Sequence, residues 1–136
     1  MIEEGIYRFL TSDGNVSALI GTRAYEQSLP ESPSLPLVVF WTVTEMPLDS
    51  LDGENILKTR RIQFDCYANK ARDARQLQGK VRAALEAIAL GATFQESSVI
   101  LSTRILLGGD KGIEPGAGGT LFCSYVEVEL SFIPSN

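Results

Sequence analysis

The 136-residue chain contains no histidine, only two cysteines and a single tryptophan. Without histidine it lacks the usual neutral-pH proton shuttle and the commonest metal ligand. Ser-His-Asp and Cys-His catalysis, histidine-containing zinc sites and HExxH hydrolases are therefore excluded. Two cysteines are too few for a disulfide framework, and no CxxC pair points to zinc or redox work. Long apolar runs are missing too: the longest, Leu37 to Trp41, is far short of the ~20 residues needed to span a bilayer. The amino end, Met1-Ile2-Glu3-Glu4-Gly5-Ile6, carries acid where a secretion signal carries positive charge, so a cytosol-like compartment is expected. Positive charge is also scarce, with 12 basic residues against 17 acidic ones and a net charge of −5. Domains that bind nucleic acid are normally basic.

What is present describes a globular protein, with 44% apolar and 21% charged residues. Its length predicts a single domain over residues 1–136 with a sizeable core. Ile2, Ile6, Phe9 and Leu10 recur at helical spacing and predict a helix over 2–11. Asp13-Gly14 breaks it, Asn15 is the expected cap of a second short helix carrying Val16, Leu19 and Ile20, and Gly21 sits where such a helix ends. Residues 22–28 read as a short extended piece, and 29–36, with three prolines, as a surface loop.

Leu37–Glu45 predicts a strand with Val39, Trp41 and Val43 on one face and Val38, Phe40, Thr42 and Thr44 on the other. A polar loop over 46–57 leads to a strand at 58–68. There Ile62, Phe64, Cys66 and Ala68 are expected inward and Arg61, Gln63, Asp65 and Tyr67 outward. The longest helix spans 70–90, with an apolar stripe of Ala74, Leu77, Val81, Ala84, Leu85 and Ile88 ending at Gly91. Gly79 within it marks either a weak point or a close approach. Extended segments follow near 93–95, at 99–107 and at 121–133. In the last, Phe122, Val126, Val128, Leu130 and Phe132 are expected inward and Tyr125, Glu127 and Glu129 outward. Cys66 and Cys123 fall on opposite faces, as free thiols. The fold class is α+β: a single antiparallel sheet with a short N-terminal helix and one long helix packed on one face.

Three features invite a functional reading. Gly108–Thr120 holds six glycines in thirteen residues, but Lys111 is followed by Gly-Ile and the stretch joins two strands. The context of a phosphate-binding loop is absent, and a flexible hairpin loop that orders on a partner is expected. Glu127 and Glu129 share a strand face about 7 Å apart, within the range of paired glycosidase carboxylates, yet on a face expected to be solvated. No nucleophile stands at a marked spacing, so no catalytic, cofactor or metal residues are assigned. Charge is segregated: eight of the twelve basic residues lie between Lys58 and Arg82, against two acids. Either this is a solvated face, or it is one half of a head-to-tail contact between copies. On the second reading Arg60, Arg61, Arg72, Arg75 and Arg82 form one side, and Glu45, Asp49, Asp52 and Glu54 the other.

The order of features resembles the tail-completion or tail-terminator proteins of long-tailed bacteriophages and related particles. The resemblance rests on Leu19-Ile20-Gly21-Thr22-Arg23-Ala24-Tyr25, the strand entry Leu35-Pro36-Leu37-Val38-Val39-Phe40, the turn Leu51-Asp52-Gly53, the strand Thr59–Ala68 and the helix after it. It implies a structural protein with no catalysis or cofactor, forming a ring, typically of six, that caps the tail tube, stops its polymerisation and joins tail to head. Implied partners are further copies of the chain, the major tail tube protein, the head-tail connector, and genomic DNA passing unbound through an acidic lumen. The implied place is the head-proximal end of the tail, after assembly in the host cytoplasm. Loops 46–57 and 108–120 then become contact loops, through Leu48, Leu51, Asp110, Lys111, Ile113 and Glu114. A head-closure component, or a small ligand-binding module, is the alternative.

Overall fold

The computed structural model describes residues 2–31, 34–48, 57–88, 93–94, 98–116 and 119–133. Helix α1 (Ile2–Ser12) buries Ile6 and Leu10. Helix α2 (Gly14–Ile20) follows, capped by Asp13 rather than Asn15: Asp13 Oδ1 accepts from the N–H groups of Asn15 and Val16, both at 3.0 Å. The cap moves forward two residues because Asp13 takes an extended backbone while Gly14 and Asn15 already lie in the helix. Gly21 ends α2 at φ 60, a conformation favouring glycine.

Strand β1 (Ala24–Glu26) runs parallel to β2 (Leu37–Leu48), so the sheet is mixed rather than wholly antiparallel. Strand β3 (Leu57–Ala68), β4 (Thr93–Phe94), β5 (Ser98–Gly116) and β6 (Gly119–Ile133) complete it in the order β1-β2-β3-β6-β5-β4. The remaining pairings are antiparallel. Strand β2 outruns its expected end at Glu45, through Pro47. Proline is tolerated there because β1 pairs only with residues 38–40, leaving that part of β2 at the sheet edge.

The Gly108–Thr120 stretch is not a thirteen-residue loop. It continues β5 to Gly116 and starts β6 at Gly119, with register shifts near residues 106 and 111. Backbone pairing to β6 outweighs the low strand propensity of glycine.

Helix α3 (Ala71–Glu86) buries Ala74, Leu77, Val81, Ala84 and Leu85. It stops four residues short of the expected 90, in a tightened turn where Ala87 N–H reaches the carbonyls of Ala83 and Ala84. Ile88 still packs against the core, whereas Gly91 lies outside the described residues. All three helices cover one face, where Val38, Phe40, Ile62, Phe64, Cys66, Val126, Val128, Leu130 and Phe132 form the main core. Phe122 is half-buried and stays outside that core.

A second cluster, Leu37, Val39, Tyr67, Leu121 and Cys123, lies on the opposite face. It is covered at one end by Tyr25, Leu29 and Leu35 from the segment before β2. This cover is why Asp65 and Tyr67, expected outward, are buried. Both cysteines are free, one on each face. Burial, helped by Cys123 and Asp65 nearby, pushes the Cys66 thiol well up and keeps it protonated. Among the described residues no helix is long and apolar enough to cross a membrane.

Gly79 is exposed on α3, and a Cβ there would meet nothing within 4 Å. Among the described residues of the chain, nothing approaches Gly79 closely. Gly79→Ala is expected to raise stability by about 1 kcal/mol through helix propensity alone. Urea denaturation checks this, and a loss of stability would mean that the helix packs differently.

Candidate assembly surfaces

The pleat and the helix geometry distribute the five candidate arginines over three places. Arg60 and Arg61 are consecutive on β3 and therefore point to opposite faces. Arg60 lies at the edge of the helix side, where its Nε donates to Glu45 Oε1 at 2.9 Å and its Nη1 to Glu3 Oε1 at 2.6 Å. Its guanidinium also sits 5.6 Å from the centre of the Phe132 ring. Glu45 and Arg60, assigned to opposite sides of a contact between copies, thus pair within one chain. The Arg60 hydrogen bond, followed by the charges of Arg60 and Lys58, holds the Glu45 carboxyl below its ordinary range against a partial burial. Its small contribution to stability is lost as pH falls through that lowered value.

Arg61 lies on the face that no helix covers. There its Nη2 meets Glu127 Oε1 at 3.0 Å, and Arg104 meets Glu129 at 3.3 Å. The two glutamates are each engaged by their own arginine. Glu127 is buried, not solvated as expected, because the Arg61 side chain lies across it. Arg72, Arg75 and Arg82 are exposed on α3. Arg75 Nη2 pairs with Asp110 Oδ2 at 2.9 Å, which holds that carboxyl below its usual range, and Arg82 pairs with Glu86 one turn on. Exposed pairs of this kind are worth little. Among the described residues Arg72 has no acidic partner.

Of the acidic candidates, Asp49, Asp52 and Glu54 lie outside the described residues, as does Leu51. Leu48 ends β2, and its backbone faces Leu57 across the β2–β3 hairpin. Asp110, Lys111, Ile113 and Glu114 all lie in β5, on the arm that pairs with residues 121–124 of β6. The two expected contact segments therefore leave the sheet at opposite ends. The first leaves beside Phe132 and the second beyond Phe122, with Gly116 facing Gly119 at its tip. At ~3.3 Å per residue along β6 the two ends are roughly 45 Å apart.

The helix layer and the second arm are locked together at Gly108. Gln78 Nε2 donates to Tyr125 O at 3.0 Å, and a Cβ on Gly108 would come within 2.7 Å of that nitrogen. A side chain there would push the Gln78 amide off the Tyr125 carbonyl. Among the described residues no three His, Cys, Asp or Glu side chains are placed to hold a metal.

Sequence reasoning missed one feature of the uncovered face. Gln27, Leu29, Val39, Trp41, Asp65 and Tyr67 line an open hollow of about 420 Å³. Gln27 holds a left-handed backbone at φ 66, and its N–H donates to Phe40 O at 2.9 Å.

No curated protein matches the chain. Among solved structures, a chain from "Virion of native gene transfer agent (GTA) particle" shares the fold with a TM-score of 0.58. That match is at 16% identity and covers 93% of this chain and 91% of the other. The family model described as "Tail completion protein gp17" matches residues 4–111. That span runs from α1 through the helix layer and into the second arm, and with it the chain belongs to the tail completion protein gp17 family.

Proposed function

We propose that the protein is a tail terminator: copies close into a ring, typically of six, that caps the tail tube, stops its growth and receives the head. The observation that carries this reading is the pair of arms leaving the sheet at opposite ends, in a chain of a tail completion family. A terminator has two axial neighbours, and the arms supply one contact surface for each. The partners are the tube protein at one end and the head-tail connector at the other. A ring also needs two unlike lateral surfaces on each subunit. The helix layer with its basic α3 and the sheet face opposite it are two unlike surfaces that meet that need. The net charge of −5 suits a lumen through which DNA slides, since like charge keeps phosphates from sticking. The protein then resides at the head-proximal end of the tail after assembly in the host cytoplasm.

The test is electron microscopy of the protein mixed with purified tail tubes. Caps at one tube end with arrested length are expected, and tubes that stay uncapped and keep growing would end the reading. Binding to head connectors with tube ends left bare would move the protein to head closure. In the same assay the double reversal Arg72→Glu with Arg75→Glu is expected to reduce capped ends about tenfold, on the scale of close charge pairs across an interface. Unchanged capping would remove α3 from the subunit contact.

A further inference from the structure

We infer that copies of the chain join edge to edge, with residues 100–107 of β5 in one copy paired antiparallel to residues 41–46 of β2 in the next. One continuous sheet then runs around the ring. The inference rests on the ring reading above and places its lateral contact at the sheet edges, which differ from each other as the two faces do. Both stretches are open in the single chain. Strand β1 pairs with β2 only at residues 38–40, and β4 with β5 only at residues 98–99. Among the described residues no strand covers the outer side of β2 or β5 beyond those points. Each open stretch is a row of unpaired backbone N–H and C=O groups, the template for an added strand. The side chains agree. Among the described residues the large apolar side chains left exposed are Tyr7, Val43, Met46 and Leu107. Val43 and Met46 lie on the open part of β2 and Leu107 on that of β5. Tyr7 and Phe40 line a hollow beside the point where β1 stops covering β2. Exposed apolar side chains gathered in this way mark a contact surface.

The choice of a second copy as partner follows from direction, level and charge. Strands β2, β3, β6 and β5 alternate in direction, so β5 runs opposite to β2 and the β2 of a next copy continues the alternation. The two open stretches also lie at one level. Trp41, Gln63, Glu127 and Leu107 form one row across the four strands, and Pro47, Lys58, Phe132 and Ile100 form another. A neighbour beside β5 therefore needs no shift along the strands, and a repeat without rise closes into a ring instead of climbing as a helix. On the helix side the basic α3 borders β5, where Arg75 reaches Asp110. Beside β2 the hollow is lined by Glu3, Glu4 and Glu26 against Arg8 alone. Basic surface thus meets acidic surface across the junction, which steers the unlike edges together. Bulges in β2 near residue 43 and in β5 near residues 101 and 106 interrupt both edges, and Pro47 has no N–H to give. The ladder is accordingly short, and strands of other register are turned away.

The pairing fixes which backbone groups face the neighbour. The Val38 N–H points to β1, where it donates to Arg23 O. Alternation from there across β3 and β6 turns the N–H of Thr103 away from β6 and into the junction. Thr103→Pro removes that donor while keeping the ladder within the chain, and proline is tolerated at a strand edge. Relative to Thr103→Ala it is expected to lower the number of capped tube ends about tenfold, the loss of one backbone hydrogen bond whose acceptor stays buried. Equal capping by the two folded variants would overturn the proposal. A photo-crosslinking residue, p-benzoylphenylalanine, at the exposed Leu107 decides the matter even if the proline variant does not fold. In caps assembled on tail tubes, irradiation is expected to join position 107 to residues 41–46 of a second copy. A crosslink to residues 71–86 of a second copy would mean that faces stack instead of edges joining. That result, a crosslink to another protein, or capped tubes with no crosslink between copies would overturn the edge contact and leave the ring standing. Absence of caps with the unsubstituted chain would remove the ring and the edge contact together.

Discussion

Replacing Phe64 by alanine is expected to cost about 3–5 kcal/mol of stability. Phe64 is among the largest fully buried side chains, 1% exposed at the centre of β3. Its ring lies 6.1 Å from that of Phe40 on the neighbouring strand, tilted by 30°. Strands β2 and β6 flank it in the sheet, and Leu77 and Val81 of α3 belong to the same cluster. The surrounding backbone is held by strand pairing on both sides, so the cavity cannot collapse, and the transfer and cavity terms add. Domains of this size are stable by only about 5–15 kcal/mol. Phe64→Ala therefore brings the protein close to unfolding at 37 °C. Urea titration followed by circular dichroism measures the loss, with Phe64→Leu as the milder control. A cost below about 1.5 kcal/mol would mean that the sheet and helix layers repack around this position.

The second large effect is expected on the face without helices. Arg61→Ala leaves the buried Glu127 carboxylate without its guanidinium, at a cost of about 2–3 kcal/mol. Replacing both residues by methionine is expected to restore most of that loss, since an apolar pair requires no compensation for buried charge. A double-mutant cycle in urea measures the coupling. Additive single losses would show that Glu127 is reached by water once the arginine is gone. Among the described residues the Nε of Arg61 is buried without a partner, so the pair is an imperfect one, and its removal costs less than a fully bonded pair would.

The core was legible in the sequence because strand alternation and helical spacing are local signals. Ile62, Phe64, Cys66, Val126, Val128 and Leu130 all lie on the face that their period predicts. The same alternation misleads at Asp65, Tyr67 and Glu127. Period two tells which face a residue shares, not whether that face is covered. The covering groups, Leu29, Leu35 and the Arg61 side chain, come from elsewhere. At 108–116 local composition fails for a similar reason, since a glycine-rich stretch becomes strand when a long partner such as β6 imposes its register. The basic segment 58–82 was visible as a run, but adjacency in the chain hides that Arg60 and Arg61 face opposite sides. The hollow was missed because its walls come from three separate stretches. Trp41, Asp65 and Tyr67, all on the non-core parity, were the one signal that pointed to it.

The strand order carries a consequence for how the protein is made. Strand β6 follows every other strand in the chain, yet it lies between β3 and β5. While the polypeptide emerges from the ribosome, residues 57–68 and 98–116 each present an unsatisfied edge until residues 119–133 arrive to join them. The sheet is therefore completed late in translation, by contacts distant in sequence, and folding of this kind is slow. During that interval the open edges of two nascent chains can pair with each other. High-level expression thus favours misassembly because it raises the number of half-finished chains with open edges at any moment, and a lower expression level makes their encounters rarer.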